Sequence, residues 1–440
     1  MKRLWEPHAY SPAPRARCLW PLEADWPALD GDHEAEIAII GGGYTGLSAA
    51  LHLAQSGERV MLLEAEAPGW GASGRNGGFC CLGGAMASGA ALDRRFGPGA
   101  AKDWLQTEKR AIDLVAGLLD EHGIAAETHS DGELVLAHRP RAFNGFASEV
   151  EALAQAGIGA EILAPEALAE RGAKMAGAHG GLHVRAGFAL NPGRYAIGLA
   201  RAAAAAGADI RAQSPVTRIR AEGRHHQLTT PGGAVRARRL LIATNGYSSE
   251  DLPGWLAGRF MPVQSSIIVT RPLTPAEQAA QGWTTDLMAY DSRTLLHYFR
   301  LMPDGRFLFG MRGGSRATPA AEARIAANIR ADFARLFPAW AGVEINHEWS
   351  GLVNLARALT PYVGPVPGMD NAWVSMAYHG NGVAMASYAG ALAADLVRGR
   401  TPSRRFPAAM QAPLTRFALG RWRRALLAAS TPIMALGDRL

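Results

Sequence analysis

The stretch EIAIIGGGYTGLSAALHLAQSGERVMLLE, residues 36–64, decides the fold. Its first five residues are an apolar run of strand type, GGGYTG follows at once, and a helical stretch then reaches Gln55 before Gly57 ends it. RVMLLE, residues 59–64, reads as a second strand. Strand, glycine turn, helix and strand in this order open a doubly wound sheet. Gly41, Gly43 and Gly46 hold GxGxxG spacing in that setting. The first glycine permits the tight turn, the second lets backbone approach a pyrophosphate, and the third lets helix and strand pack closely. The unpaired N–H groups of the helix N-terminus then favour phosphate. Glu64 closes the second strand where an acid binding ribose hydroxyls belongs, and its charge repels a 2′-phosphate. NAD and FAD share this fingerprint, so the turn predicts a dinucleotide without choosing one.

Downstream, APGWGASGRNGGF at 67–79 is a glycine-rich loop whose N–H groups suit a large planar or anionic ligand, although such loops also serve as plain surface connections. Apolar positions recur at helical spacing over 101–122, and ELVLA at 133–137 reads as a strand. Helices are expected at 144–156, 194–206 and near 321–336. RRLLIATNGY at 238–247 ends a second apolar run in a small-residue turn, and SSIIVT, LLHYF and RFLFGM mark strands within 256–346. AWVSMA, the turn YHGNG and a helix over 382–398 close the pattern. The N-terminus of that helix could stabilise negative charge, or be an ordinary helix start. The expected class is α/β with α+β elements: a Rossmann-type domain of non-contiguous segments with an inserted mixed or antiparallel β-sheet. The first 34 residues read as an extended surface arm.

Composition narrows the function. The formal charge is +6 and the pI about 9.4, carried by arginine, since lysine occurs only at positions 2, 102, 109 and 174. No basic cluster with interleaved aromatics appears, which argues against nucleic acid. Cys18, Cys80 and Cys81 show neither metal spacing nor a CxxC pair, so no metal site is expected and a reducing compartment is the simpler inference. The N-terminal 20 residues lack the apolar core of a secretory signal, and a cytoplasmic protein is expected. Residues 425–436, ALLAASTPIMAL, are too short to span a bilayer; packing on the body is favoured over contact with a membrane surface.

GGGYTGLSAALHLA, GWGASGRNGG, SPVTRI, RFLFG and YHGNGVAMASYAG together resemble the D-amino-acid oxidase and sarcosine oxidase superfamily of flavoproteins, and within it the gamma-glutamylputrescine oxidase-like group. The resemblance covers nearly the whole chain, and GASGRNGG after the acidic strand end is its most specific part. It implies FAD. By that likeness the ADP half falls to Gly41, Gly43, Tyr44, Thr45, Gly46 and Glu64, and the ribityl and ring region to Ala72, Ser73, Gly74, Arg75, Asn76, Gly77 and Gly78. Val216 would meet adenine, Thr244, Asn245 and Gly246 would close over the pyrophosphate side, and Gly380, Asn381, Gly382 and Val383 would meet the pyrimidine edge. The FAD-binding domain would comprise 1–90, 189–255 and 347–440, the last with a C-terminal extension, and the substrate domain 91–188 and 256–346. Some relatives attach flavin through a late cysteine or a histidine after the acidic strand end. This chain has no cysteine beyond Cys81 and no histidine in 69–78, so FAD is expected to be non-covalent.

The activity implied is oxidation of the C–N bond of an amine or amino acid by hydride transfer to flavin N5. The imine would hydrolyse, and the electrons would pass to O2, giving H2O2, or to another acceptor. Candidate substrate contacts are Arg271, Tyr290, His297, Tyr298, Arg300 and Trp349, where arginine would grip a carboxylate and aromatic faces an amine. His379 adjoins the late glycine turn and could shape the site. Cys80 and Cys81 read as buried apolar residues rather than a redox pair. No lysine follows Lys174 to speed reaction with oxygen from the inserted sheet, which leaves oxidase and dehydrogenase open. Alternatives are an NAD(P)H-dependent FAD monooxygenase and a relay flavoprotein subunit of a larger complex.

Overall fold

In the computed structural model, which describes residues 1–314 and 316–438, the opening run forms the strand His33–Ile40. Ile37 and Ile39 face one core while Ala38 and Ile40 face another, the two-sided burial that a parallel sheet requires. Val60–Leu63 and then Asp209–Arg211 pair in parallel on one side of it, and Gly233–Ile242 and then Ala372–Met376 on the other. The order therefore reverses at the first strand, and the crevice beyond the carboxyl ends is where such sheets bind ligands.

Two helices bring the early and late glycine turns together. Tyr44–Gln55 and Gly382–Val397 are almost wholly buried, and they approach so closely that a Cβ on Gly390 would stand 2.3 Å from the Thr45 carbonyl oxygen. Ser48 Oγ donates to the Ser387 carbonyl at 2.7 Å, and Thr45 Oγ1 shares a 2.7 Å hydrogen bond with the Tyr378 hydroxyl. The N-terminal ends of both helices are thereby fixed side by side.

The second sheet runs in the order Ile345–Ala356, Phe260–Pro272, Arg306–Arg312, His297–Leu301, Met288–Asp291, Glu133–Leu136, Gly181–Val184 and Ala160–Leu163. All its pairings are antiparallel except that of Met288–Asp291 with Glu133–Leu136. One face packs Phe299, Phe307 and Phe309 against Phe333, Phe337 and Trp340. The other covers the glycine loop, and its side chains alternate with the first set along each strand. A boundary after residue 346 falls inside this sheet, because Ile345–Ala356 pairs along almost its whole length with Phe260–Pro272.

The N-terminal arm is less extended than its proline content predicts. It forms two short turns, Pro7–Tyr10 and Ala13–Arg15, and buries Trp5, Tyr10 and Trp20. At the other end the helix Arg423–Gly437 continues past Pro432, anchored by buried Arg423, which donates to the Phe260 carbonyl and to Glu250. The side chains of 430–436 lie outside the described residues, and with them most of the apolar face considered for membrane contact. Among the described residues no helix is long and apolar enough to cross a membrane.

Candidate functional site

Gly41 has φ of +107°, and a Cβ there would stand 2.8 Å from the Ala243 carbonyl oxygen, so only glycine serves. A Cβ on Gly46 would lie 2.0 Å from the Gly41 carbonyl oxygen, which places Gly46 in the packing of the turn and not in its opening. At Gly43 the one near neighbour would be Ser73 Oγ at 2.9 Å, so this position faces open space. The Glu64 carboxylate accepts from the Gly42 amide at 2.5 Å and the Glu66 amide at 3.0 Å. Burial raises its pKa, opposed by those two amides.

One continuous groove runs from Val216, Leu63 and Glu64 past the early turn to Tyr378, Gly380, Gly382 and Val383. Gly41, Gly43, Tyr44, Thr45, Ala72, Ser73, Asn76, Thr244 and Asn245 also line it. At neither helix start does the N-cap side chain accept a hydrogen bond, and Ser73 Oγ takes only the Tyr44 amide, at 2.9 Å, which leaves the amides that follow as donors for an anion. Asn354, 1% exposed, lines the same groove with both Nδ2 and Oδ1 unpartnered. A buried amide of this kind is costly unless a ligand completes its hydrogen bonds. An acid at one end, two uncapped helix starts and an orphaned amide at the other end fit FAD.

The remaining glycine-loop residues stand behind the groove. Gly74 and Gly78 make backbone contacts too tight for any side chain, Gly77 makes room for the Tyr298 ring, and Gly246 abuts Leu352. Arg75 turns away from the groove: it stacks on Trp70 at 4.0 Å and donates to the Trp70 and Ser350 carbonyls. Asn381 donates to the Leu82 carbonyl. The arm reinforces this loop, with Arg15 donating to the Gly74 carbonyl and Trp20 Nε1 to that of Asn76. Arg3 and Tyr10 of the arm also line the groove. Their role was hidden in the sequence because the arm has no periodicity to say which face it covers.

Beneath the second sheet, the strand register places Ser265, Tyr290, Tyr298, Arg300, Arg312 and Glu133 on one face. Glycines at 77 and 310 leave room for the Tyr298 ring, whose hydroxyl bonds Ser265 Oγ at 2.9 Å. Burial pushes the Tyr298 pKa up to about 12, so the phenol keeps its proton. Tyr298→Phe is expected to leave flavin content unchanged and to lower turnover about tenfold, the worth of one hydrogen bond. Loss of flavin from that variant would show the residue to be structural.

Several candidate substrate contacts are otherwise engaged. Arg300 spends its guanidinium on the Gly77 and Leu190 carbonyls, both at 2.9 Å, and on His129 at 2.8 Å, so it clamps the glycine loop. Arg271 lies at the far end of Phe260–Pro272 in an ion pair with Glu277 at the surface. His297 points to the opposite face of the sheet, where burial opposes its charge but Asp291 and Asp332 outweigh it and hold its pKa up. Trp349 is a strut, its Nε1 donating to the Arg75 carbonyl at 2.7 Å. His379 donates from Nδ1 to the Gly84 carbonyl and accepts at Nε2 from the Ala356 amide; burial, with Arg312 nearby, pulls its pKa down to about 4. Cys80 and Cys81 are buried free thiols whose pKa values burial pushes well up, as core residues rather than thiolates.

Two buried acids went unread in the sequence. Glu108 bonds Trp104 Nε1, Glu133 has an unpartnered Oε2, and burial raises each pKa from 4.5 to about 8. The folded protein keeps these protons between pH 4.5 and about 8 while the unfolded chain releases them. Stability therefore falls as pH rises through that window. Glu133→Gln is expected to raise Tm at pH 8 relative to the parent and to flatten the decline from pH 5 to 8. Parallel melting curves for the two proteins would mean that Glu133 is ionised in the fold.

The reversed parallel sheet with its glycine turn, the acid on the neighbouring strand and the roofing second sheet define a flavin-dependent oxidoreductase. Residues 36–396 match the family of FAD dependent oxidoreductases named DAO, and the chain belongs to that family. It is 34% identical over 418 residues to the probable oxidoreductase OrdL of Rhizobium meliloti, covering 94% of each protein. It is 28% identical over 432 residues to the gamma-glutamylputrescine oxidoreductase of Escherichia coli, covering 95% of this chain and 96% of that one. The crystal structure of glycine oxidase from Geobacillus kaustophilus shares the fold, with a TM-score of 0.71 at 22% identity over 88% of this chain and 100% of that one.

Proposed function

We propose that this enzyme oxidises the C–N bond of a small amine or amino acid to an imine, which water then hydrolyses. Bound FAD supplies the two-electron acceptor for the hydride that leaves the carbon. The electrons pass on to O2, giving H2O2, or to another acceptor. No histidine or cysteine lines the groove among the described residues, which supports non-covalent FAD.

The observation that carries the reading is the hydrogen bonding of the buried His379 at the late turn, where a general base would be looked for first. His379 has both ring nitrogens spent on backbone, Tyr298 keeps its phenol proton, and Glu133 keeps its carboxyl proton up to about pH 8. None of these residues is a base poised to take a proton at neutral pH. That suits a substrate whose own nitrogen lone pair, on a neutral amine, assists departure of the hydride. The second sheet is then the substrate domain, and its underside the roof of the reaction space. Relatives named for gamma-glutamylputrescine and for glycine support a nitrogen-bearing substrate.

The test is anaerobic mixing of the flavin-loaded protein with polyamines, gamma-glutamyl amines, N-methyl amino acids and D-amino acids, followed by air and a peroxide assay. Bleaching by at least one class is expected. Bleaching by NADPH with a phenol, and by no amine, would replace the proposal with a hydroxylase. No bleaching across the panel would point to a relay subunit.

A further inference from the structure

Arg3 of the N-terminal arm lines the cofactor groove, and among the described residues that do so it is the single lysine, arginine or histidine. Glu64 and Glu66 line the same groove, so its side chains include more acids than bases. The Arg3 guanidinium stacks on the Tyr10 ring at 4.3 Å, and among the described residues it makes no hydrogen bond and no ion pair. Arg15 and Arg75, beside the glycine loop, give their guanidinium groups to backbone carbonyls and do not line the groove.

The backbone on both sides of Arg3 is pinned. The Lys2 amide donates to Asp251 Oδ1 at 2.7 Å, and the Glu250 amide donates to the Lys2 carbonyl at 2.9 Å. On the other side, Arg424 donates to the Leu4 carbonyl at 3.0 Å, and Trp5 Nε1 donates to the Pro262 carbonyl at 2.9 Å. The arm therefore straps the segment that follows the turn Asn245–Tyr247 to the second sheet, with Arg3 between the two attachments. The segment before that turn abuts the early glycine turn, since a Cβ on Gly41 would stand 3.3 Å from the Thr244 amide nitrogen. Glu64 and Val216 mark one end of the groove and Gly380 the other, so the early turn marks its middle, where a dinucleotide carries its phosphates.

The pyrophosphate of FAD brings two negative charges to this place, and the helix start at the early turn offsets them with only about half an elementary charge. The acids of the groove offset nothing. A guanidinium whose fork of donors is free meets phosphate through paired, charge-assisted hydrogen bonds. We propose that Arg3 pairs with the pyrophosphate of bound FAD, so that residues 1–10 act as a strap holding the cofactor in its groove. Tyr10 positions the fork, because its ring carries the guanidinium and itself lines the groove. The inference concerns retention of the cofactor and goes beyond the amine-oxidising reading, on which it does not depend.

The test dilutes the full-length, flavin-loaded protein to nanomolar concentration and follows the fluorescence of FAD as it leaves. Arg3→Met is expected to release FAD about tenfold faster than the parent, the lower end for loss of a hydrogen bond to a charged group. Arg3→Lys should fall between, since it keeps the charge without the fork. Raising the salt concentration should speed release from the parent and leave Arg3→Met nearly unmoved, so that the two rates converge. Lys2→Met is the control: it removes the same charge from the neighbouring residue, which does not line the groove, and its release rate should match that of the parent. Release from Arg3→Met at the parental rate would overturn the assignment. So would a difference that salt does not narrow, which would make Arg3 a packing residue. An equal effect of Lys2→Met would likewise overturn it, by tracing the change to overall charge. Should a variant be isolated with too little flavin to follow, titrating that protein with FAD gives a dissociation constant, expected to rise by the same factor; a parental value would count against the strap. None of these measurements needs turnover, so they stand apart from the amine panel, and the two readings fail separately.

Discussion

Valine at position 43 is expected to yield a folded protein that holds no flavin. The nearest neighbour of a Cβ there is the rotatable Ser73 hydroxyl at 2.9 Å, so the backbone needs little adjustment. The added side chain instead fills the place where the early turn opens to the groove, and it keeps the ligand from the uncapped helix start. Losing two charge-assisted hydrogen bonds of about 2 kcal/mol each corresponds to roughly a 1000-fold loss of affinity. Circular dichroism should match that of the parent while visible absorbance disappears. Gly46→Val is the contrasting control: its Cβ would stand 2.0 Å from a backbone oxygen, so the turn itself cannot close. A yellow, active Gly43→Val protein would overturn the placement of the dinucleotide site.

Arg300→Met is expected to cost stability first and activity as a consequence. The change strips donors from the Gly77 and Leu190 carbonyls and from His129, and leaving such buried acceptors unpaired costs about 1–3 kcal/mol each. Relief from burying a charge offsets part of this; burial already lowers the Arg300 pKa to about 9. A net loss of about 3 kcal/mol should appear as a lower urea midpoint at unchanged m-value. The same midpoint as the parent, with only KM raised, would instead make Arg300 a substrate contact.

Arg300 shows where sequence reading stopped, since the two carbonyls and the histidine that take its guanidinium come from distant parts of the chain. GxGxxG and Glu64 were legible because their spacing within one strand–turn–helix–strand unit fixes their geometry before any long-range contact forms. HYFRL gave two plausible site residues side by side, yet only the register with Arg306–Arg312 tells which of His297 and Tyr298 faces the cofactor domain. Arg271 read as a ligand for carboxylate, and a local ion pair with Glu277 takes it. Asn354 was invisible: a lone Asn in an alternating strand becomes telling only once both its polar atoms are found unpartnered at the groove.

The boundary near 346 shows the same limit on a larger scale. Ile345–Ala356 alternates as any strand does, and only its pairing with Phe260–Pro272 assigns it to the second sheet. The chain returns to the first sheet at Tyr362–Pro365, which pairs with Ala372–Met376 just before the late turn.

The proposal that an amine nitrogen drives the reaction is tested most directly by stopped-flow anaerobic reduction with an amino acid or gamma-glutamyl amine, protiated or deuterated at the carbon beside the nitrogen. The account predicts loss of the oxidised flavin band, slowed by deuterium, with no need for NADPH. A flavin that stays oxidised with every amine and bleaches with NADPH would contradict it.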